Sequence, residues 1–295
     1  MIIFNRIQEL ENHLNIVQNQ QKTVGFVPTM GALHEGHLAL IRKSRLETDI
    51  TVCSIFVNPT QFNNLSDLEK YPRTLEKDSQ MLENAGCDII FAPGVMEIYT
   101  EEELENKRKG IDDRSWTEGK TVDFGQLDKV MEGTQRPGHF NGVAQVVSKL
   151  FRIVKPDTAY FGQKDFQQLA IIRSMTKQLG FDIEIVGCPI IRENDGLAMS
   201  SRNMRLKEQE RNVAPLIFRT LFKVKEMAVS QTVAELKEFA EAQIKSEPLM
   251  QLEYFEIADA DTLQPVTSLS GSKSVVACIA LKLGDVRLID NILLK

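Results

Sequence analysis

His34 and His37 stand three residues apart in P-T-M-G-A-L-H-E-G-H (28–37), where an apolar run gives way to a helical pattern. Residues at that spacing share one face of a helix, so two imidazoles in its first turn aim at the same spot. Residues 24–27 read as a short buried strand. Pro28 ends it, Gly31 loosens the turn, and Leu38, Leu40 and Ile41 begin the helix. A strand, a glycine-bearing turn and a helix start form a setting in which backbone N–H groups hold phosphate. The chemistry implied is stabilisation of negative charge on a phosphate.

In open α/β sheets, ligands bind outside the carboxyl ends of the strands, and polar residues cluster after several strand-like runs here. After 50–57 come Asn58, Thr60, Gln61 and Phe62. After 158–161 come Gly162, Gln163, Lys164 and Asp165, with Gln167 and Gln168 in the next turn. In G-Q-K-D, Gly162 allows close backbone approach, Lys164 is a mobile point charge, and Asp165 accepts from sugar hydroxyls. The same four residues also fit an ordinary strand–helix junction with an Asp N-cap. Ser200, Ser201 and Arg202 in A-M-S-S-R-N (198–203) offer hydroxyls and a planar cation suited to a triphosphate. Read alone, they fit a polar helix start equally well. Gln61 and Gln168 can both donate and accept, which suits a small hydroxy acid. In R-P-G-H-F-N-G (136–142), Arg136 is a candidate anion ligand. His139 fits equally a loop before a helix capped by Asn141. P-loop, dinucleotide, H-E-x-x-H and G-x-S-x-G motifs are all absent from the sequence.

These residues need a scaffold, and hydrophobic spacing supplies one. Helical patterns cover 5–20, the stretch after His37 to about Arg45, about 67–84, 141–154 and 165–179. Between them, 24–27, 50–57, 88–92, 158–161 and 182–186 read as strands. The alternation predicts an α/β fold: a Rossmann-like parallel sheet with helices on both faces, spanning 1–187. From about 205 the texture changes to helices at 206–229 and 232–245, then strands at 252–258, 274–281 and 286–290. That order predicts a smaller C-terminal α+β domain, 188–295, with 188–204 as the joint. Residues 100–120 are highly charged and read as an exposed excursion.

Composition narrows the function classes. A formal net charge of −6 argues against non-specific nucleic-acid binding. Four scattered cysteines without a C-x-x-C pair read as reduced, buried thiols of a cytoplasmic protein. Neither a signal peptide nor a membrane-spanning run is expected.

Taken together, the motifs resemble a known family. P-T-M-G-A-L-H-E-G-H resembles the H-x-G-H signature of the nucleotidyltransferase superfamily, and A-M-S-S-R (198–202) its mobile second motif. More narrowly, that stretch with F-V-N-P-T-Q-F (56–62), R-P-G-H-F (136–140), F-G-Q-K-D (161–165), M-S-S-R-N (199–203) and R-L-I-D-N (287–291) resembles the pantothenate synthetase family. The resemblance implies condensation of (R)-pantoate with β-alanine through a pantoyl-adenylate, with ATP consumed, AMP and pyrophosphate released, and Mg²⁺ required. It implies nucleotide contacts at Met30, Gly31, His34, Gly36, His37, Gly162, Lys164, Asp165, Ile191, Met199, Ser200, Ser201 and Arg202. It also implies pantoate contacts at Gln61 and Gln168, His37 as catalytic acid, and a homodimer. Ser200, Ser201 and Arg202 stand where a tRNA synthetase carries lysines, which weakens that relative. A nucleotidyltransferase that keeps AMP on its product, and a non-catalytic nucleotide-binding module, are the alternatives. The excursion at 100–120 is longer than the family usually has there.

Overall fold

The computed structural model describes residues 1–62, 68–111 and 115–295. Asp67, expected near a helix start, and 112–114 of the charged excursion lie outside the described residues. The chain forms two compact units. The first comprises Met1–Phe124, Gln135–Gly162 and Gln168–Cys188; the second comprises Gly125–Thr134, Gln163–Gln167 and Pro189–Lys295. Two short segments numbered inside 1–187 therefore pack with the C-terminal residues.

The first unit carries a six-stranded parallel sheet. Its strands are β1 (Ile2–Phe4), β2 (Val24–Thr29), β3 (Ile50–Ile55), β4 (Ile89–Phe91), β5 (Thr158–Gly162) and β6 (Glu184–Cys188), in the order β1-β4-β3-β2-β5-β6. The four central residues of β3 are buried, as expected of a strand covered on both faces. The unit's longer helices among the described residues are α1 (Ile7–Asn19), α2 (Glu35–Glu47), α3 (Leu75–Asn84), α4 (Glu101–Arg108), α5 (His139–Val154) and α6 (Phe166–Leu179). Adjacent residues of a strand face opposite ways, and β2 shows what covers each face. A Cβ on Gly25 would run into Ser44 of α2, whereas Phe26 packs edge-on against Phe151 of α5, 6.3 Å between centroids. Helices thus lie on both faces. From β2 the strand order runs to β3 and β4 on one side and to β5 and β6 on the other. That reversal is the topological switch at which such sheets bind ligands.

Several boundaries differ from the sequence reading. β1 was not expected. It is a three-residue edge strand, with Ile2 and Ile3 exposed, too short to carry an alternation pattern. The helix expected over 67–84 is Leu75–Asn84, because Pro72 cannot donate the N–H a helix interior needs. The strand expected at 182–186 is Glu184–Cys188, drawn two residues on by its register with β5, where Glu184 pairs Thr158. The excursion at 100–120 is more packed than expected. Glu101–Arg108 is a helix with a Thr100–Glu103 capping box, Glu103 pairs Lys149 at 2.8 Å, and Trp116 is buried.

The second unit is an antiparallel sheet of β7 (Met250–Asp259), β8 (Val275–Leu283) and β9 (Val286–Leu293), with β8 central. The helices are α7 (Glu208–Val213), α8 (Leu216–Met227) and α9 (Val233–Lys245). The single helix expected over 206–229 is split between α7 and α8, because Pro215 breaks the amide ladder. Leu221, Val224, Leu236 and Ile244 join Phe255, Ile257, Ile279 and Leu281 in one buried cluster. Each such side chain contributes about 2 kcal/mol by leaving water. The segment Gly125–Thr134 is strapped to this sheet. Arg287 clamps Glu132 with two bonds of 2.6 and 2.8 Å and reaches Glu253 at 2.7 Å. Tyr254 donates to Glu132 at 2.9 Å.

Candidate active site

β2 ends at Thr29, whose hydroxyl donates to the Ser54 carbonyl at 2.7 Å and accepts from Gly31 N at 3.2 Å. The chain then turns through the left-handed region, φ 81° at Gly31 and 50° at Ala32. Glycine adopts that conformation freely, whereas Ala32 needs outside support. Asp78 of α3 supplies it: its buried carboxylate accepts Ala32 N at 2.9 Å, Leu33 N at 2.8 Å and the Thr74 hydroxyl at 3.1 Å.

The turn delivers His34 as the N-cap of α2 and His37 as its third residue. His34 Nδ1 accepts from Gly36 N at 3.1 Å, and His37 Nδ1 accepts, weakly, from His34 N at 3.4 Å. The rings lie 4.1 Å apart. A neutral imidazole that accepts at Nδ1 carries its proton on Nε2, so these bonds assign both residues as Nε2–H donors. One expectation needs correction. The amides of residues 31 to 34, 36 and 37 all bond within the protein, those of 32 and 33 to a carboxylate. The amides of this turn are thus committed to acceptors within the protein. Met30 and Gly36 are half-buried beside them.

Gln61 closes the short helical turn Pro59–Gln61 after β3. Its Oε1 accepts from Asn58 Nδ2 at 3.1 Å, and its Nε2 lies 3.0 Å from Met30 Sδ. Asn58 is itself held by Tyr99, whose hydroxyl donates to Asn58 Oδ1 at 2.8 Å, and by the Gly142 carbonyl at 3.2 Å. A Cβ on Gly142 would lie 2.6 Å from the Thr60 carbonyl oxygen, so only glycine lets α5 close onto this turn. His139 is buried at the start of α5, its Nδ1 3.0 Å from the Gln61 carbonyl, where it braces the turn. The N-cap of α5 is Gly138, not Asn141. Tyr99 was not singled out by sequence. Asn58 is at least a polar residue at a strand end, but the Tyr99 partnership spans 41 residues and leaves no local signal.

Arg136 is half-buried and accepts the His139 amide on its carbonyl at 3.1 Å. A Cβ at Gly162 would meet nothing within 4 Å, so packing does not demand glycine there. The two neighbouring glutamines separate sharply. Gln167 is buried and committed to structure, donating to the Leu127 and Val130 carbonyls at 2.6 and 2.9 Å and accepting Glu132 N at 3.0 Å. Gln168 is half-buried on the first unit.

Lys164 and the exposed Asp165 belong to the second unit, in a helical turn over Gln163–Asp165. The same unit holds Ile191, Met199, Ser200, Ser201 and Arg202 on a hairpin-like loop. Arg192 bridges Ala198, Met199 N bonds the Ile191 carbonyl at 3.0 Å, and Ser200 Oγ caps the turn Ser201–Arg205 by accepting Arg202 N at 3.2 Å. The loop is braced by Asn203, which donates to Glu193 at 2.9 Å, and by Arg211, which binds Glu193 and Asp195 at 2.7 and 2.6 Å. Burial works against ionisation of Asp195, yet the Arg211 guanidinium holds its carboxyl below the usual range. Among the described residues, no group of three or more His, Cys, Asp or Glu is placed to hold a metal.

Signature residues at the carboxyl ends of β2, β3 and β5, at the switch of a parallel sheet, define a Rossmann-like nucleotide-binding protein of the H-x-G-H kind. The sequence profile described as "Pantoate-beta-alanine ligase" matches residues 2–293, and the chain belongs to that family. The pantothenate synthetase of Bacteroides fragilis is 52% identical over 295 residues, covering 100% of this chain and 99% of the relative. The crystal structure of pantothenate synthetase from Thermus thermophilus superposes with a TM-score of 0.88 at 41% identity, covering 99% of both chains. The pantoate-beta-alanine ligase of Francisella tularensis, crystallised with beta-gamma ATP and beta-alanine, has a TM-score of 0.78 at 33% identity, over 100% of this chain and 98% of that one.

Proposed function

We propose that this protein condenses pantoate with β-alanine at the expense of ATP in two steps, an in-line displacement at phosphorus followed by acyl substitution. In the first, a pantoate carboxylate oxygen attacks the α-phosphorus and the bond to pyrophosphate breaks, leaving pantoyl-adenylate. In the second, the β-alanine amine attacks the acyl carbon, AMP departs with the electrons of the C–O bond, and the nitrogen loses a proton. No protein nucleophile enters either step, so the protein positions reactants and stabilises charge. The observation that carries this reading is a family match over almost the whole chain.

Within it, His34 and His37 donate from Nε2 to oxygens that gain charge. Lys164, Ser200, Ser201 and Arg202 hold phosphate oxygens, with Met30, Gly31, Gly36, Gly162, Asp165, Ile191 and Met199 shaping the nucleotide contact. Gln61 presents its amide N–H₂ to pantoate because Asn58 occupies its Oε1. Gln168 is the second pantoate ligand, and Arg136 is an anion contact. Mg²⁺, when bound, would neutralise charge on the substrate phosphates. We place the protein in the cytoplasm as a homodimer; no helix is long and apolar enough to cross a membrane among the described residues.

ATP–pyrophosphate exchange tests the reading. Exchange is expected with pantoate present and β-alanine omitted, and free AMP only once the amine is added. AMP retained on the product indicates a transferase instead. No exchange with any candidate acid indicates a nucleotide-binding module without catalysis.

A further inference from the structure

R-L-I-D-N (287–291) lies far from the other motifs in sequence, and none of its side chains is among the proposed substrate ligands. Two adjacent residues of it, Asp290 and Asn291, are nearly inaccessible and sit on β9. Neighbours on a strand face opposite ways, so each reaches a different segment. Asn291 Nδ2 donates to the carbonyls of Gln163 and Lys164, both at 2.9 Å. Two carbonyl partners require the N–H₂ group there, which fixes the amide orientation. Asp290 takes Arg192 in a bidentate pair at 2.6 and 3.0 Å and accepts Asn291 N at 2.8 Å. Arg192 also donates to the Gly196 carbonyl at 3.1 Å and lies 4.2 Å from the centre of the Phe218 ring. It stands at the base of the hairpin that leads into Met199 and Ser200.

One strand therefore grips, with consecutive residues, the turn bearing Lys164 and the hairpin bearing the M-S-S-R segment. We infer that Asp290 and Asn291 are positioning residues that hold these two segments in register, so that the Lys164 ammonium and the 199–202 hydroxyls and guanidinium meet one triphosphate in a preset geometry. This rests on the proposed phosphate role of Lys164. A lysine on a flexible stem is a poorly placed charge unless its backbone is fixed, and donors fixed in advance are the ones that lower a barrier. Asn291 fixes that backbone by both carbonyls, where no substitution at Lys164 itself could.

The test is a double-mutant cycle between Asn291→Ala and Lys164→Ala, read by pantoate-dependent exchange and by KM for each substrate. Asn291→Ala is expected to raise KM for ATP and lower exchange by about tenfold together, the order two modest hydrogen bonds carry. KM for pantoate should not move, whereas general loosening would lower the active fraction or shift both constants. In the Lys164→Ala background the same substitution should add less than about twofold, because coupled residues are non-additive. Full additivity, or an Asn291→Ala enzyme with unchanged KM for ATP, overturns the inference while the role of Lys164 stands. An unimpaired Lys164→Ala enzyme overturns that role, and the inference with it. Should Asn291→Ala fail to fold, Asn291→Ser, which keeps one donor, takes its place under the same criterion of non-additivity.

Discussion

His37 accepts weakly at Nδ1 from the backbone amide of His34, and the proposed mechanism gives its Nε2 the task of an oxyanion donor. An oxyanion donor of that kind typically accounts for about a hundredfold in rate, roughly 3 kcal/mol. His37→Ala is therefore expected to lower kcat by about that factor. The helix-capping bond it gives up costs about 1 kcal/mol or less, so the fold survives. Steady-state kinetics beside a thermal melt check both statements, and a near-normal kcat removes His37 from the mechanism. Gln61 makes a related point about residues. Its type and place after β3 were readable as a donor–acceptor, but not how its amide is oriented. Asn58, three residues away and itself held by Tyr99 far along the chain, occupies its Oε1.

Among the elements, α3 does more than cover the sheet. The Asp78 carboxylate is the anion that the turn at 31–33 binds, and it holds Ala32 in a conformation alanine rarely adopts. Asp78→Ala would leave two buried N–H groups unpaired, and the expected loss is about 3 kcal/mol of folding stability. Asp78→Asn, which keeps one acceptor oxygen, should lose roughly half as much. Denaturant titration measures both, and an Asp78→Ala protein as stable as the parent refutes the role given to α3. In the sequence, Asp78 is one of two acids in the first turn of a helix, where the usual inference is interaction with the helix dipole. Its amide partners lie 45 and 46 residues earlier, beyond any local pattern. The same holds for β6, whose limits were set by register with β5, whereas the α7–α8 break follows from Pro215, which is written locally.

At the scale of the whole molecule, Cys53, Cys87, Cys188 and Cys278 are all free and buried. Burial pushes the Cys87 thiol up to about 12 and the Cys188 thiol up to about 11. Native protein at pH 8 is expected to resist thiol-labelling reagents, with four groups reacting on unfolding. The sign of the linkage follows. A thiol whose folded pKa is raised contributes stability that is fully present below the unfolded value of about 8.5 and is lost as pH rises through the folded value. Stability should therefore fall between about pH 8.5 and 11 to 12. A flat profile over that interval, or fast labelling of the native protein, contradicts this burial.

The fold class and most of the candidate residues were legible in the sequence for a local reason. Period-two and period-3.6 apolar patterns are written in consecutive residues, and the polar groups proposed to face a ligand follow directly on strand ends. His34, His37, Gln61 and Lys164 are all of this sort. What only the tertiary structure decided is everything that depends on a partner distant in the chain. Asp78 takes the turn amides that seemed destined for phosphate, Gln167 is drawn into a strap while Gln168 is not, and Asn291 secures the backbone of Lys164. A hydrogen bond is made to whichever polar atom folding brings within about 3 Å, and a sequence records the atoms without recording that distance.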